Sequence, residues 1–333
     1  MIASTHTGWS YPRPYGSRTV LVLIGAALLL WHTGQRVEIG RMIAMTTEAV
    51  AVQFGPFGRS QVADGLGNAI GQLVPIQLSD RQDITRIEGF DPDDLPLLSH
   101  LETVESRGEA INPQTLRMES SPVRTTYLVQ PLGYAWLVAT KMLETLEIAL
   151  WGTIVAIMVG FPLALLGARN MMRFAAIRMA ARSVIGFCRA IPELVSALFL
   201  VIAYGFGPIA GILALGLYGA GFLGKFYADD IENADPRPQE ALTAIGASKI
   251  VMWRYAILPQ VLPQYIAYTL YILDRNVRMA TVIGLVGAGG IGQELKGRYD
   301  MYEYGHVGTI LIAIFIVVLL LDRSASRLRK SLL

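Results

Sequence analysis

Residues 287 to 292 read GAGGIG and come after the apolar run ATVIGLV. Gly287, Gly289 and Gly292 satisfy G-x-G-x-x-G, the spacing that lets backbone approach a pyrophosphate at a helix N-terminus. That chemistry needs a strand before the glycines, a βαβ unit around them and an acid about 20 residues later. Here the glycines lead into QELKGRYDMYEYGH and then into an apolar run of membrane length, so no sheet is available for a cofactor to lie across. The glycines are expected instead to allow a bend or close packing inside membrane-embedded protein. A second near-match, GAGFLGKF at 219 to 226, spaces Gly219, Gly224 and Lys225 as in a Walker A loop, but Phe226 stands where a hydroxyl should meet Mg²⁺. Lys225 reads as a charge at a membrane surface, and this chain is expected to bind no cofactor. No catalytic or metal site is expected either. His6, His32, His100 and His306 are scattered, the lone thiol Cys188 rules out an intramolecular disulfide, and DPDDLP at 91 to 96 lacks the ligand spacing of an EF-hand.

The elements that hold these residues are read from composition. The 333 residues are 53% hydrophobic and 16% charged, with a net charge of +2. The apolar residues gather into runs of roughly bilayer length, which predicts an all-α polytopic membrane protein of about six spans. The small net charge argues against nucleic acid.

A first apolar run at 19 to 34 comes after Arg13 and Arg18. It fits a secretory signal or a short span, and the absence of a small-x-small cleavage site favours an uncleaved anchor. Residues 1 to 34 are thus expected to form a cytoplasmic segment with the first span, 35 to 140 a polar exported segment, and 141 to 333 the membrane core. Further spans are expected at 143 to 167, 184 to 204, 207 to 226, 264 to 285 and 306 to 321. The loop ARNMMRFAAIRMAAR carries Arg169, Arg173, Arg178 and Arg182 without an acid, which by the positive-inside rule places it, and both termini, in the cytoplasm. Lys296 and Arg298 are the exceptions to that scheme. No internal repeat is evident.

Between the fourth and fifth spans lies DPRPQEALTAIGASKIVMWRYAILPQVLP, residues 235 to 263. Asp235 with Pro236 and Pro238 starts a short helix, Gly246 interrupts it, and a second amphipathic piece is expected to run to Ala256 and stop at Leu258-Pro259 and Pro263. Two short helices around a small residue make a protruding knob suited to docking a soluble partner. Glu240-Ala241, Gly246 and Leu258-Pro259 resemble the EAA motif, E-A-A-x-x-x-G with a distal I-x-L-P, of ABC importer permease subunits. Leu242 replaces the second alanine and Ala256 the distal isoleucine, both apolar changes. RAIPELVSAL at 189 to 198 and NVRMATVIGLVGAGGIGQEL at 276 to 295 narrow the resemblance to phosphonate-type permeases, which move phosphonates, phosphite or phosphate. The match covers about 140 to 333.

The resemblance implies a type I importer-like transmembrane domain in the bacterial inner membrane. It also implies a coupling helix within 235 to 263, two copies of a partner ATPase that bind ATP and Mg²⁺, a second permease subunit in a homodimer, and a solute-binding protein. Charged residues within the fifth span are candidates for the pathway, because intramembrane charge faces a cavity or a partner. Asp274 and Arg278 can pair at i,i+4, while Arg275 or Arg278 can offset an anion in transit with Asn276 as a neutral donor. Arg189 and Glu193, flanking Pro192, can pair in the same way or serve the pathway. Gly287, Gly289, Gly290 and Gly292 are candidates for the outer gate. Competing readings are an ATP-independent secondary transporter, an ABC permease for a different small solute, and a membrane-bound enzyme; the last lacks a catalytic constellation.

Overall fold

The computed structural model describes residues 16–54, 60–87, 90–92, 95–96, 98–111 and 118–332. His6, Arg13, Asp93 and Asp94 lie outside the described residues. The chain divides into two compact units, residues 1–72 and 73–333.

In the first unit, helix α1 (Ser17–Arg36) is followed by α2 (Ile39–Phe54) and by the start of α3 (Gln61–Leu73). α1 and α2 meet at a bend of 67°, where Glu38 adopts a positive φ, and together they satisfy the length and hydropathy of one broken span. Leu21, Leu23, Leu28, Leu29 and Trp31 are exposed around α1, as expected of a helix whose apolar surface faces lipid. The segment from 35 onward, expected to be polar, therefore opens with an apolar helix.

The second unit begins with a small antiparallel sheet of β1 (Asp80–Asp83), β2 (His100–Ile111) and β3 (Met118–Gln130) in the order β1-β3-β2. β2 and β3 form a long hairpin that pairs His100 with Val129 and Ile111 with Met118. Exposed pairs Arg81–Glu102 and Arg124–Glu105 decorate it and add little stability. The chain just before β1 returns to cap the membrane helices: the Tyr134 amide donates to the Leu78 carbonyl at 3.1 Å and the Thr309 hydroxyl to the Gln77 carbonyl at 2.7 Å.

The core is helical. α4 (Gly133–Gly167) spans 35 residues, about 50 Å at 1.5 Å per residue, so it crosses a hydrocarbon layer of about 30 Å with turns to spare. It packs along α7 (Pro208–Asn233) through a stripe of small residues. A Cβ at Gly160 would sit 2.9 Å from the Ala220 carbonyl, one at Gly216 2.6 Å from Val155, and one at Gly219 2.6 Å from Ala156. Without a hydrophobic drive between helices in lipid, such close approach is what dispersion contacts require.

The expected third span at 184 to 204 is two helices, α5 (Ala175–Ala190) and α6 (Glu193–Tyr204), which meet at 91°. Hydropathy sees one apolar run, but Pro192 pushes Ile191 out of the helical region, to φ −86 and ψ 122.

After α7 come α8 (Pro236–Ala244), α9 (Lys249–Met252), a π-helical turn (Trp253–Ile257) and α10 (Leu258–Gly284). The expected stop at Leu258-Pro259 and Pro263 is not found: Lys249–Gly284 is one helical run of 36 residues. Pro259 occupies the first turn of α10, where an amide is not required, and the π-helical turn takes up the change of register. α11 (Gly290–Asp300) and α12 (Tyr304–Leu332) complete the fold. Among the described residues, four helices are long and apolar enough to cross a membrane, or up to six spans if each bent pair counts as one.

Candidate functional site

Two regions of the second unit collect the residues singled out in the sequence, one protruding and one within the bundle.

The protruding region is α8 with its following turn. The Asp235 carboxylate caps α8 by accepting from the Arg237 amide at 3.0 Å, and Pro236 fills the first turn. Gln260 on α10 accepts the Asp235 amide at 2.9 Å, and Gln239 donates back to the Ala234 and Asp235 carbonyls. The helix ends when Gly246 adopts φ +78; its amide and that of Ala247 return to Thr243 and Leu242 at 3.0 Å each. Ser248 then caps α9. Glu240, Ala241, Gly246 and Pro259 are exposed, and Leu258 is half-buried at the start of α10. Around Gly246, Ile245 and Ile250 are 79% and 77% exposed, an apolar presentation that solvent would not select.

The knob is tied to the loop after α4. Lys249 donates to the Met171 carbonyl at 3.2 Å, and a cavity of about 440 Å³ between the two is lined by Asn170, Gln239, Glu240, Thr243 and Met252. That loop is fixed in turn by Glu232 of α7, which accepts from the Arg169 amide at 2.6 Å and from the Arg182 guanidinium at 2.9 Å. The basic segment 169 to 182 and the knob thus share one end of the bundle.

Within the bundle, Glu193 does not pair with Arg189. The right-angle turn at Ile191-Pro192 separates the two side chains, and Glu193 forms an ion pair with Arg275 of α10 instead. This pair is largely buried, with the side chains 10% and 22% exposed, and the Arg275 guanidinium stacks on the Tyr218 ring at 4.1 Å. One guanidinium nitrogen, Nη1, is buried without a hydrogen-bond partner. Asn276 is fully buried and donates to Thr153 of α4 at 2.9 Å, which makes it a tie between two core helices. Asp274 and Arg278 form the bidentate i,i+4 pair that their spacing permits, at 2.7 and 3.0 Å, with Arg278 half exposed. Spacing alone misses the partnership of Glu193 with Arg275; the available signal was Pro192, which breaks the helix on which the i,i+4 geometry depends.

At the end of the bundle opposite the knob, GAGGIG makes the turn from α10 into α11. Gly287, Gly289 and Gly290 take φ values of +94, +84 and +71, open to glycine at no steric cost. Gly292 packs so tightly that a Cβ there would stand 2.0 Å from the Thr281 carbonyl. The N-terminus of α11, where a pyrophosphate would bind in a dinucleotide fold, is occupied by α4: Glu144 accepts the Gly290 amide at 3.0 Å and Thr145 the Ile291 amide at 2.8 Å. Lys141 holds the other Glu144 oxygen at 2.7 Å. The glycines therefore serve a helix junction.

Lys296 and Arg298, the exceptions to the charge rule, are neutralised on α11 and in the turn that follows it. Lys296 pairs with Asp300, and Arg298 with Glu294 and Glu303 at 2.8 and 2.6 Å. Burial pulls the Arg298 pKa down, but the hydrogen bonds it donates to Glu294 and Glu303 more than offset it, so the guanidinium sits above its ordinary value.

Comparison with known proteins identifies the family. HtxE of Stutzerimonas stutzeri, named for a phosphite transport system permease, is 54% identical over 261 residues, 78% of this chain and 100% of that protein. The phosphite transport system permease protein PtxC of the same organism is 39% identical over 60% of this chain and 72% of its own length. Among solved structures, the MetNI methionine ABC transporter in an inward-facing conformation superposes a chain with a TM-score of 0.53 at 23% identity, over 60% of this chain and 97% of that one, a likeness of fold alone. The model of the family described as "Binding-protein-dependent transport system inner membrane component" matches residues 153–332. The chain belongs to that family, and is the permease subunit of an ABC importer with a type I transmembrane fold.

Proposed function

We propose that this permease carries phosphite or a related phosphorus oxyanion, such as a phosphonate, into the bacterial cytoplasm from a solute-binding protein. The single observation that carries the reading is the 54% identity across the whole of a relative named for phosphite transport.

The knob supports a route for energy. Glu240, Ala241 and Gly246 lie on an exposed element braced by Asp235, Gln260 and Lys249, a shape fit to seat in a cleft of a partner ATPase. ATP and Mg²⁺ belong to that partner, in two copies, and this chain binds no cofactor. A second copy of the permease completes a two-fold pathway. The shared placement of the knob and the basic 169 to 182 segment supports a cytoplasmic position for both, with both termini inside and the segment that leads from the α1–α2 span to α4 outside.

Arg275 is the charge best suited to the pathway, because Glu193 holds only part of its guanidinium and leaves Nη1 without a partner. A transported oxyanion competes with Glu193 for that fork; the weak net binding this gives is what release requires. Arg278, paired with Asp274, and Asn276, tied to Thr153, are structural in this reading. The GAGGIG turn then forms the outer gate.

The test is uptake in proteoliposomes that contain this chain, its co-purifying ATPase and its binding protein. ATP-dependent accumulation of phosphite supports the proposal. Accumulation without ATPase or ATP would establish a secondary transporter, and ATP-dependent uptake of some other solute with none of phosphite, phosphonate or phosphate would overturn the substrate class.

A further inference from the structure

A second cationic site lies apart from Arg275. Between α5 and α7, toward the knob end, is a cavity of about 170 Å³ whose lining includes Arg182, Gly186, Arg189, Lys225 and Asp229. Arg182, Gly186 and Arg189 recur at four- and three-residue steps on α5, and Lys225 and Asp229 at four on α7, so two helix faces enclose one space. Gly221 brings them together: a Cβ there would stand 2.8 Å from the Arg189 Cγ and 3.0 Å from its amide nitrogen. The aliphatic stem of Arg189 is thus packed against α7. Gly186 borders open space, since a Cβ at that position meets nothing within 4 Å.

The charges do not balance locally. Arg182 is committed, to the Gly167 carbonyl at 3.0 Å, to Glu232 at 2.9 Å and to Asp229 at 3.7 Å. Arg189 and Lys225 make no ion pair or hydrogen bond among the described residues. The lining therefore sets three cations against the carboxylate of Asp229, itself turned to Arg182. Lys225 is exposed and Arg189 half-buried, and two unpartnered cations facing one cavity repel each other and favour an anion between them. A guanidinium fork beside an ammonium is matched to the oxygens of a tetrahedral phosphorus group.

We propose that this cavity binds a phosphorus oxyanion group through Arg189 and Lys225. That chemistry has two sources, the headgroup phosphate of an anionic phospholipid and a free oxyanion such as phosphite. The proposal does not depend on the transported substrate.

Binding to the full chain separates the sources. In one arm, the protein in phosphatidylcholine nanodiscs at low ionic strength is titrated with inorganic phosphite by calorimetry. In the other, phosphatidylglycerol retained on the detergent-solubilised protein is counted by native mass spectrometry. Arg189→Gln and Lys225→Gln are each expected to weaken the occupied arm about tenfold, the scale of one lost charge-assisted hydrogen bond. Arg189→Lys should keep part of the affinity. Binding in the first arm alone assigns a free oxyanion, and in the second alone a lipid phosphate. If Arg189→Gln fails to fold, Lys225→Gln at an exposed position carries the test by itself. No binding by the wild type in either arm, or wild-type binding by the substituted proteins in both, would overturn the proposal.

Discussion

Substitution of Gly246 by valine isolates the knob from the rest of the molecule. Gly246 sits at φ +78 in an exposed turn, and a Cβ built on it meets nothing within 4 Å. The whole penalty is therefore conformational, about 1–2 kcal/mol for a side chain forced into the left-handed region. The turn is held by two backbone hydrogen bonds, Gly246 to Thr243 and Ala247 to Leu242, each worth a net ~1 kcal/mol. Strain and restraint are thus of similar size, so valine should shift the turn locally while the buried α4–α7 core is untouched. Asparagine, which enters the left-handed region far more readily, should preserve the turn. Gly246→Val is expected to insert normally, unfold within a few degrees of the wild type, and lose at least about tenfold in ATP-dependent uptake, the effect of ~1.4 kcal/mol at the docking surface. Gly246→Asn should retain most of the uptake. The assay is proteoliposome uptake beside thermal unfolding of the same preparations. Wild-type uptake by the valine variant would refute the coupling role of the turn; equal loss with valine and asparagine would refute the conformational explanation and point to a partner that closely approaches this position.

The remaining predictions concern the bundle. Glu193→Gln leaves the Arg275 charge largely buried beside a neutral amide, so it should destabilise by about 3 kcal/mol, and the double change Glu193→Gln with Arg275→Met by less than the sum of the single changes; a double-mutant cycle on thermal unfolding checks this. Gly292→Ala drives a Cβ against the Thr281 carbonyl and should abolish stable expression, whereas Gly297→Ala, with open space on the same helix, should be neutral or stabilising by up to about 1 kcal/mol; fluorescence-detected size exclusion distinguishes them. Glu144→Leu removes the acceptor for the Gly290 amide and should cost about 1–2 kcal/mol, with amide exchange accelerated at the start of α11.

How far the sequence is legible depends on whether the deciding interaction is local. The end of α4 and the start of α7 follow from hydropathy and from Pro208, and the α8 cap follows from Asp235 with Pro236, whereas α4 begins at Gly133, before the expected 143, and α7 runs on to Asn233, past the expected 226. The right-angle turn between α5 and α6 is invisible to a hydropathy window, because both arms are apolar and only Ile191-Pro192 marks the break. Pro259 and Pro263 mislead in the opposite direction: each is a helix breaker by rule, yet one falls in a first turn and a π-helical turn precedes it. The pairing of Glu193 with Arg275 is a tertiary fact, and spacing names Arg189 instead because i,i+4 geometry presumes a continuous helix. The β2–β3 hairpin is similarly hidden within a segment read only as polar.

The continuous run from Lys249 to Gly284 changes how the two candidate regions relate. If the chain had stopped at Leu258-Pro259, the knob would hang on a hinge, and motion at α8 would be absorbed there. Instead one helix starts at Lys249, which is bonded to the loop after α4, and carries Asn276 and Arg275 before entering the GAGGIG turn. In the proposed reading, a displacement of the knob would pass along that helix to the Glu193–Arg275 pair, and so to the first turn of α6. The element that receives it is a helix already turned by 91° from its predecessor, where a small rotation about Ile191-Pro192 needs no α-helical hydrogen bond to break. Packed helices resist continuous deformation, so movement concentrates at such junctions. In the proposed reading, the physical connection between the knob and the charged pair in the bundle is therefore a single helix with a broken helix at its far contact.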